Sequence, residues 1–262
     1  MPHITVNGAK LYYESHGKGS PVLMAAGLGG AGTYWREQVD AFAKRHTVFL
    51  YDQRGTGRSA HVEVKSIEQL AGDTLGLLDA LSVERVHYLG HSTGGAIGQV
   101  LAIEHPERLI DLVVYASVHK SDGYRERLWG LRKAVLETMG PETYARLTTL
   151  VLYPPWWIAE NSHRLAQEEA VSARMLSQPE IMASRIDSIL SFDRSADLGR
   201  IATPTMVICA RDDITTPLYF SEQLVALIPS ARLVVLERGG HACSKTVPEE
   251  FNRRVLDFFA SH

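Results

Sequence analysis

The chain contains 262 residues, 45% of them hydrophobic, which allows one large domain or two small ones with a substantial buried core. Its 27 Lys and Arg against 30 Asp and Glu leave a formal charge of −3. This balance gives no electrostatic support for a nucleic acid or an anionic membrane as partner, so we expect a small molecule instead.

Residues 1–17 lack the apolar core of a signal peptide, and no later run reaches about 18 uninterrupted apolar residues. We therefore predict a cytoplasmic protein without a membrane segment, and a homodimer stays open as its oligomeric state. Only Cys209 and Cys243 occur, too few for a disulfide framework or a four-thiolate zinc site. We expect both to be reduced thiols.

Two extended stretches open the chain, and Asn7-Gly8 between them is a turn pair that predicts a β-hairpin over residues 3–13. Further along, β-rich apolar runs alternate with helical patterns. The runs lack strict alternation of polar and apolar residues, which is typical of a parallel sheet covered on both faces. They occupy residues 22–26, 48–51, 86–89, 109–116, 205–210 and 233–236.

Helix starts separate these runs. Ser66 to Gln69 fits a capping box, and the apolar residues after it recur on one helical face. Pro217 and Pro248 mark two further starts, because proline in the first turn forfeits only an amide that has no intrahelical partner. The alternation predicts an α/β fold with about eight strands in a mostly parallel sheet flanked by helices.

The strand signals stop between residues 118 and 194, where Arg, Leu, Glu and Ala dominate. We interpret 118–194 as an inserted helical cap and residues 1–117 with 195–262 as the core. The cap would cover the carboxyl edge of the sheet, where open α/β folds bind ligands. The alternative is a helical extension that only adds stability.

The segment Gly90-His91-Ser92-Thr93-Gly94 has the form G-x-S-x-G and lies between an apolar strand and a helical pattern. In that setting the small residues permit a tight, strained turn that exposes a serine at a helix N-terminus. We therefore predict Ser92 as a nucleophile. His91 is expected to be buried packing.

A serine hydroxyl is a poor nucleophile without a base and a third group that orients the base. Asp212 and Asp213 follow one later strand, and His241, after two glycines, follows the next. The order Ser, Asp, His is that of one known triad arrangement. The alternative for His241 is a solvated loop histidine, and the neighbouring aspartates leave the acid ambiguous, with Asp212 able to bind the loop or cap the next helix.

An acyl-transfer site also needs donors for an oxyanion. The Thr93 amide directly after the serine is one candidate, and the Leu28 amide in the glycine-rich loop after the 22–26 strand is the other.

The same loop also fits a different motif. Residues 27–32 read G-x-G-x-x-G, and Asp52 follows 20 residues after Gly32, as in a dinucleotide-binding fingerprint. A hairpin precedes the strand, however, a second glycine-rich turn follows Asp52, and a nicotinamide enzyme would leave the Ser92, Asp213 and His241 set unexplained. We therefore predict no cofactor and no metal.

Taken together, these motifs resemble the α/β-hydrolase superfamily, and residues 51–59 look like its D-x-R-G-x-G-x-S segment. In similar hydrolases the acid lies four residues before a proline, here Pro217, which favours Asp213. More narrowly, the chain looks like the aminoacrylate hydrolases of pyrimidine degradation, with enol-lactonases and amidohydrolases as relatives. The segments that carry this closer resemblance are 51–57, 153–157, 210–213 and 239–243.

The resemblance implies a cofactor-free serine hydrolase, EC 3, for a small ester, enol-lactone, amide or enamine. An enamine would allow direct attack by a water that the histidine activates. A small acid substrate needs a cation and an aromatic wall. The candidates are Tyr153, Trp156, Trp157, Arg125 and Arg185, although cap packing and solvated arginines are the alternatives. Rival functions are a ligand receptor of negligible turnover and a perhydrolase or haloperoxidase.

Overall fold

One sheet of eight strands runs through the computed structural model, which describes residues 2–262. In chain order the strands are β1 (His3–Val6), β2 (Ala9–His16), β3 (Ser20–Ala25), β4 (His46–Tyr51), β5 (Val86–His91), β6 (Leu109–Tyr115), β7 (Thr205–Ala210) and β8 (Ala231–Leu236). Their order across the sheet is β1-β2-β4-β3-β5-β6-β7-β8. β2 pairs antiparallel with β1 and β4, and every other pair is parallel, so the predicted mostly parallel sheet is confirmed.

Helices connect the parallel strands and supply both covering layers. Within the described residues they are α1 (Arg36–Phe42), α2 (Ile67–Ala80), α3 (Thr93–Glu104), α4 (Gly123–Leu152), α5 (Pro155–Glu160), α6 (Ser162–Met175), α7 (Pro179–Leu190), α8 (Leu218–Leu227), α9 (Cys243–Thr246) and α10 (Pro248–Phe259). Short 3-10 helices lie at Gly32–Trp35, Pro106–Arg108 and Leu198–Arg200.

Alternate residues of β3 belong to two separate hydrophobic clusters. Leu23 and Ala25 pack in a cluster with residues of α2 and α3, whereas Val22 and Met24 pack in a cluster with residues of α1 and α10. Successive side chains of a strand point to opposite faces, so both faces of the sheet are buried. This double burial explains why the strand sequences are continuously apolar.

The structure contains the predicted turn at Asn7-Gly8 and the predicted Ser66 helix cap, but the capping box differs in one hydrogen bond. Asn7 and Gly8 both have positive φ, 47° and 75°, and close the β1–β2 hairpin. The Ser66 side chain accepts a hydrogen bond from the Gln69 amide at 3.2 Å, as predicted. The Gln69 side chain, however, accepts from the amide of Lys65 rather than from that of Ser66, one residue earlier than in a capping box.

Four helices, α4 to α7, fill the segment between β6 and β7, and no strand of the described residues lies there. Helix α4 bends at Gly140, whose φ of 80° is non-helical, next to Pro141, which has no amide hydrogen to donate. Trp129 of α4 and Met182 of α7 belong to the same hydrophobic cluster as the α2 side of the sheet. The inserted helices therefore share a core with the sheet.

No helix within residues 2–262 combines the length and the apolar composition that crossing a bilayer requires. Cys209 and Cys243 are buried free thiols, and burial raises the pKa of both.

The carboxylate of Asp52, which matched a dinucleotide fingerprint in spacing, is buried and bound by protein donors. One oxygen accepts from the Gly32 amide at 2.8 Å, and the other accepts from the amide and Nε of Arg58 at 2.9 and 3.0 Å. Both oxygens therefore hold two glycine-rich turns together. The spacing between the G-x-G-x-x-G loop and Asp52 is explained by this structural role.

Asp52→Asn tests that role. An amide side chain offers only one acceptor oxygen, so one of the two turns loses its partner, and we expect the free energy of unfolding to fall by about 1–3 kcal/mol in chemical denaturation. The exposed Asp40 on α1 provides the matched control, and Asp40→Asn is expected to change stability by less than about 0.5 kcal/mol. Equal effects of the two substitutions would contradict the assignment.

Candidate active site

Ser92 lies in a strained turn between β5 and α3. Its backbone has φ 51° and ψ −112°, outside the regions that a non-glycine residue ordinarily adopts. The Ser92 amide donates a hydrogen bond to the Tyr115 carbonyl on the neighbouring strand β6, at 2.8 Å. The side chain thus lies at the carboxyl edge of the sheet and at the N-terminus of α3.

Two glycines allow this turn because strand and helix approach each other without intervening side chains. A Cβ at position 90 would lie 2.2 Å from the Gly94 carbonyl oxygen, and a Cβ at position 94 would lie 2.2 Å from the Ala25 carbonyl oxygen. Both distances are far below contact, so an alanine at either position forces the backbone apart. The G-x-S-x-G pattern is therefore a packing requirement of this turn.

His241 and Asp213 form a buried pair at the same edge of the sheet. Nδ1 of His241 lies 2.8 Å from Oδ2 of Asp213, and the two side chains are 2% and 0% exposed. The aspartate also accepts from the amides of Thr215 and Thr216 at 2.7 and 2.9 Å and from the Thr216 hydroxyl at 2.8 Å. A carboxylate only accepts, so Nδ1 donates to it and Nε2 is left as the basic nitrogen.

The second aspartate has a different partner. Oδ1 of Asp212 accepts a hydrogen bond from the Gly240 amide at 2.8 Å, in the loop that carries His241. The structure therefore brings Asp213 to the ring of His241 and Asp212 to the backbone of the preceding Gly240. Asp213 is the aspartate that the spacing to Pro217 favoured in the sequence analysis.

Ser92 and His241 share neighbours. The His241 carbonyl accepts from the Tyr115 hydroxyl at 2.8 Å and from Nε2 of His91 at 3.1 Å, and the His91 and His241 rings are 4.7 Å apart. Among residues 2–262, no hydrogen bond joins the Ser92 hydroxyl to the His241 ring. In enzymes generally, the contact between a nucleophile and its base is often long without substrate and shortens when substrate binds.

His91 serves as packing in this arrangement, in agreement with the sequence interpretation. Its ring stacks on Tyr34 at 4.5 Å, and burial lowers its pKa well below the ordinary range, with a smaller contribution from His241. The imidazole is therefore neutral at physiological pH. Its role is to hold the backbone of the histidine loop.

Two backbone amides near Ser92 lack acceptors in the described part of the chain. The Thr93 amide begins α3, and the Leu28 amide lies in the loop after β3; neither donates to a protein group. A Cβ on Gly27 would lie 3.2 Å from Cβ of Ser92, so this loop passes directly beside the serine. Both amides are available to a ligand oxygen at this position.

Three aromatic residues predicted as substrate contacts pack at the junction of the inserted helices with the histidine loop. Tyr153 and Trp157 stack at 4.6 Å in a small cluster that includes Ala242. The Ala242 amide donates to the Leu152 carbonyl at 3.0 Å, and the guanidinium of Arg238 lies over the Trp156 ring. These contacts favour the packing role that the sequence analysis held as the alternative.

Arg125, at the start of α4, is 1% exposed, and its Nε and Nη1 atoms have no hydrogen-bond partner among the described residues. Burial lowers its pKa to about 10, while the negative charges of Asp213 and Asp122 act in the opposite direction. The hydroxyl of the preceding residue, Tyr124, donates to the Ile214 carbonyl, so the start of α4 lies against the loop that carries Asp213. A buried cation with unused donors is suited to an anionic ligand.

Arg185, on α7, was predicted as a substrate contact, but its guanidinium is bound by protein acceptors. All three of its guanidinium nitrogens donate to protein acceptors, namely the carbonyls of Leu28 and Arg54 and the side-chain oxygen of Gln53. These bonds bind it to two loops of the core. The structure therefore argues against a substrate contact and in favour of a structural one.

Several residues of this region escaped the sequence analysis. Thr216 donates to Asp213 and lies 3.2 Å from Nδ1 of His241, and Tyr115 links the serine turn to the histidine loop. The signal available in the sequence was a tyrosine at the carboxyl end of a strand that is mostly apolar. No group of three or more His, Cys, Asp or Glu side chains with the geometry of a metal site occurs within residues 2–262.

Comparison with known proteins places this geometry in a family. A family model described as the alpha/beta hydrolase family matches residues 22–254. A protein of Azorhizobium caulinodans named "Putative carbamate hydrolase RutD" is 42% identical over 259 residues, covering 98% of both chains. A protein of the same name from Caulobacter sp. (strain K31) is 39% identical over 262 residues, covering 98% of this chain and 97% of the relative.

The fold comparison agrees with the sequence relatives. The crystal structure of the enol-lactonase from Burkholderia xenovorans LB400 superposes with a TM-score of 0.92 at 27% identity, covering 99% of this chain and 100% of that one. The resemblance inferred from the motifs is thereby confirmed at the level of the superfamily and its fold. The chain belongs to the alpha/beta hydrolase family.

Proposed function

We propose that the chain hydrolyses a small, anionic substrate with Ser92 as nucleophile, His241 as general base and Asp213 as the group that orients the base. The observation that carries this proposal is the buried 2.8 Å contact between Asp213 and His241, at the sheet edge that also holds the strained serine. Such a combination activates a hydroxyl that is unreactive in water.

The chemistry follows from the positions of these groups. Nε2 of His241 removes the hydroxyl proton of Ser92 as the oxygen bonds to the acyl carbon, and the carbonyl oxygen gains the negative charge. The free amides of Leu28 and Thr93 stabilise that oxyanion. The histidine then passes its proton to the leaving amine or alcohol, and a water, activated by the same imidazole, releases the acyl group.

The substrate class is argued from Arg125. Its buried guanidinium lacks a hydrogen-bond partner in the described residues, and leaving such a cation unpaired is costly unless a ligand supplies the acceptor. We propose that it binds a carboxylate or carbamate oxygen at or beside the scissile group. The RutD relatives are named as carbamate hydrolases, which supports an acyl C–N bond among the candidates.

We propose that helices α4 to α7, within residues 118–194, act as a cap over this site. At the start of α4 the Tyr124 hydroxyl donates to the Ile214 carbonyl beside Asp213, and residues 152–157 pack on the loop that carries His241. The inserted segment thereby contacts the loops that carry the acid and the base. The remaining residues, 1–117 and 195–262, form the core that holds the serine.

Ser92→Ala tests covalent catalysis. We expect hydrolysis of an activated ester to fall by about 10⁴-fold or more, because no other hydroxyl can form the acyl-enzyme. Rates are measured for wild type and variant on small esters, enol-lactones, carbamates and enamides, with peroxide-dependent halogenation assayed beside them. Unchanged turnover of the best substrate in the variant would contradict the serine mechanism and favour attack by water.

A wild-type protein that binds these compounds and turns none over would be a receptor.

The two adjacent aspartates provide a matched pair. Asp213→Asn removes the acceptor that orients the imidazole, so we expect kcat to fall by about 10³- to 10⁴-fold. Asp212→Asn keeps an oxygen for the Gly240 amide, and we expect kcat to change by less than about tenfold. Steady-state kinetics on one ester decide between them, and the reverse ranking would assign the acid to Asp212.

Arg125→Met tests the anion site. Hydrogen bonds to charged groups contribute about 1.5–3 kcal/mol, so we expect KM for anionic substrates to rise by about 10- to 100-fold while KM for a neutral ester stays unchanged. Arg127→Met, on the exposed face of the same helix, serves as the control. An equal rise for neutral and anionic substrates would show that Arg125 only supports packing.

A further inference from the structure

Arg185 reaches from helix α7 into the core and binds two loops at once. Its Nε donates to the Leu28 carbonyl at 2.9 Å, its Nη1 to the Arg54 carbonyl at 2.6 Å and its Nη2 to Oε1 of Gln53 at 2.7 Å. The first of these acceptors belongs to the residue whose amide is available for the oxyanion. An inserted helix is thus hydrogen-bonded to the loop beside the nucleophile.

This arginine is buried without a counter-ion. It is 1% exposed, and no ion pair within residues 2–262 includes it. Burial lowers its pKa to about 10, so the group is still charged at neutral pH. A buried cation of this kind needs acceptors for its hydrogens, and the planar guanidinium fork supplies three donor directions that a lysine cannot reproduce.

Two hydrogen bonds, one in the turn and one from Arg185, hold the two peptide planes that meet at Leu28. The Gly30 amide donates to the Gly27 carbonyl at 2.9 Å, which closes a turn with Leu28 at its second position. In the planar trans peptide between residues 27 and 28, the N–H of Leu28 points opposite to that carbonyl and therefore out of the turn. Arg185 holds the next carbonyl, so the peptide planes on both sides of the Leu28 Cα are fixed.

Gln53 provides a second connection between the same groups. Its side-chain nitrogen donates to the Ala26 carbonyl at 2.7 Å, and its backbone amide donates to the Gly30 carbonyl at 2.9 Å. Both ends of the 26–30 loop are therefore bound to Gln53, whose side-chain oxygen is held by Arg185. A Cβ on Gly30 would lie 2.8 Å from Nη2 of Arg185, so the loop and the guanidinium are in direct contact.

We propose that Arg185 is a positioning residue that aims the Leu28 amide at the developing oxyanion. Through it, an inserted helix sets the geometry of the oxyanion hole. This inference rests on the proposed function, because it assigns to Arg185 a task in the same acyl-transfer step. Arg185 makes its contribution through the loop backbone and touches no reacting atom.

Arg185→Met keeps the apolar stem and removes all three donors. We expect kcat to fall by about 10²-fold, as for a small displacement of one oxyanion donor, while KM stays within about threefold. The inhibition constant of an alkyl boronic acid, a tetrahedral analogue, is expected to rise in proportion to the loss of kcat, and that of the acid product to stay unchanged. Arg185→Lys, which retains the charge and one or two donors, is expected to lie between wild type and Arg185→Met.

Arg132→Met is the matched control. Arg132 is also a buried arginine of the inserted helices, but its hydrogen bonds go to Tyr144 and Thr148 within those helices. A role of Arg185 in stability alone predicts similar kinetics for the two variants at matched folded fraction. That result, or a rise in KM at unchanged kcat, would overturn the proposal.

Gln53→Leu perturbs the same arrangement from the core side and carries the test if Arg185→Met fails to fold. It removes the acceptor for Arg185 and the donor to Ala26, so kcat and boronic acid affinity are expected to fall together; unchanged values would overturn the proposal. Ser92→Ala separates the two levels of inference. Wild-type turnover that survives Ser92→Ala refutes the serine mechanism itself, whereas Ser92-dependent turnover with normal kcat in Arg185→Met refutes only the role of Arg185.

Discussion

The backbone conformation of Ser92 is the constraint on which the rest of the site depends. A serine held at φ 51° carries a conformational cost of about 1–3 kcal/mol, which the surrounding packing must offset. That packing is the close approach of α3 to β5 and β3, possible only because positions 90 and 94 have no side chain. The buried helix and the parallel sheet thus hold the hydroxyl at the sheet edge, and the loops after β3, β7 and β8 bring the other groups to it.

Buried polar groups near the serine fall into two kinds. Most are fully engaged within the protein: Asp213 accepts four hydrogen bonds, Asp52 joins two turns and Arg185 binds two loops. In the described residues, the amides of Leu28 and Thr93 and two nitrogens of Arg125 have no partner. Because buried polar groups are ordinarily paired, we propose these donors as the partners of substrate oxygens. The buried Nδ1 of His91 beside the serine also lacks a partner among residues 2–262, and it is an acceptor because Nε2 donates to the His241 carbonyl. The proposal of an anionic substrate therefore rests on the guanidinium of Arg125.

The sequence predicted those features that local patterns encode. Strands appeared as apolar runs, and Ser92 and His241 could be proposed because each follows a strand and sits beside glycines. The spacing to Pro217 in similar hydrolases favoured Asp213 over the adjacent Asp212, whereas the partner of each side chain became visible only in the fold. At the start of helix α2 the motif predicted the cap but not every hydrogen-bond partner. The Gln69 side chain binds the amide of Lys65, where the motif predicts that of Ser66.

The roles of the buried arginines could not be predicted from the sequence. Arg125 and Arg185 both lie on helices of an insertion rich in arginine, and nothing local distinguishes them. Their different settings come from contacts with residues about a hundred or more positions away, such as Leu28 for Arg185. The loop of residues 27–32 shows the opposite problem, a motif match without the function of the motif. Its spacing to Asp52 fits a dinucleotide fingerprint, but in the structure Asp52 joins two tight turns.

Mass spectrometry of the protein after treatment with a fluorophosphonate tests most directly whether these side chains form one reactive centre. We expect one phosphonyl group per chain, bound to Ser92, and no adduct in a folded His241→Gln variant, because the hydroxyl then lacks its base. An adduct on another residue, or equal labelling of wild type and His241→Gln, would contradict the account.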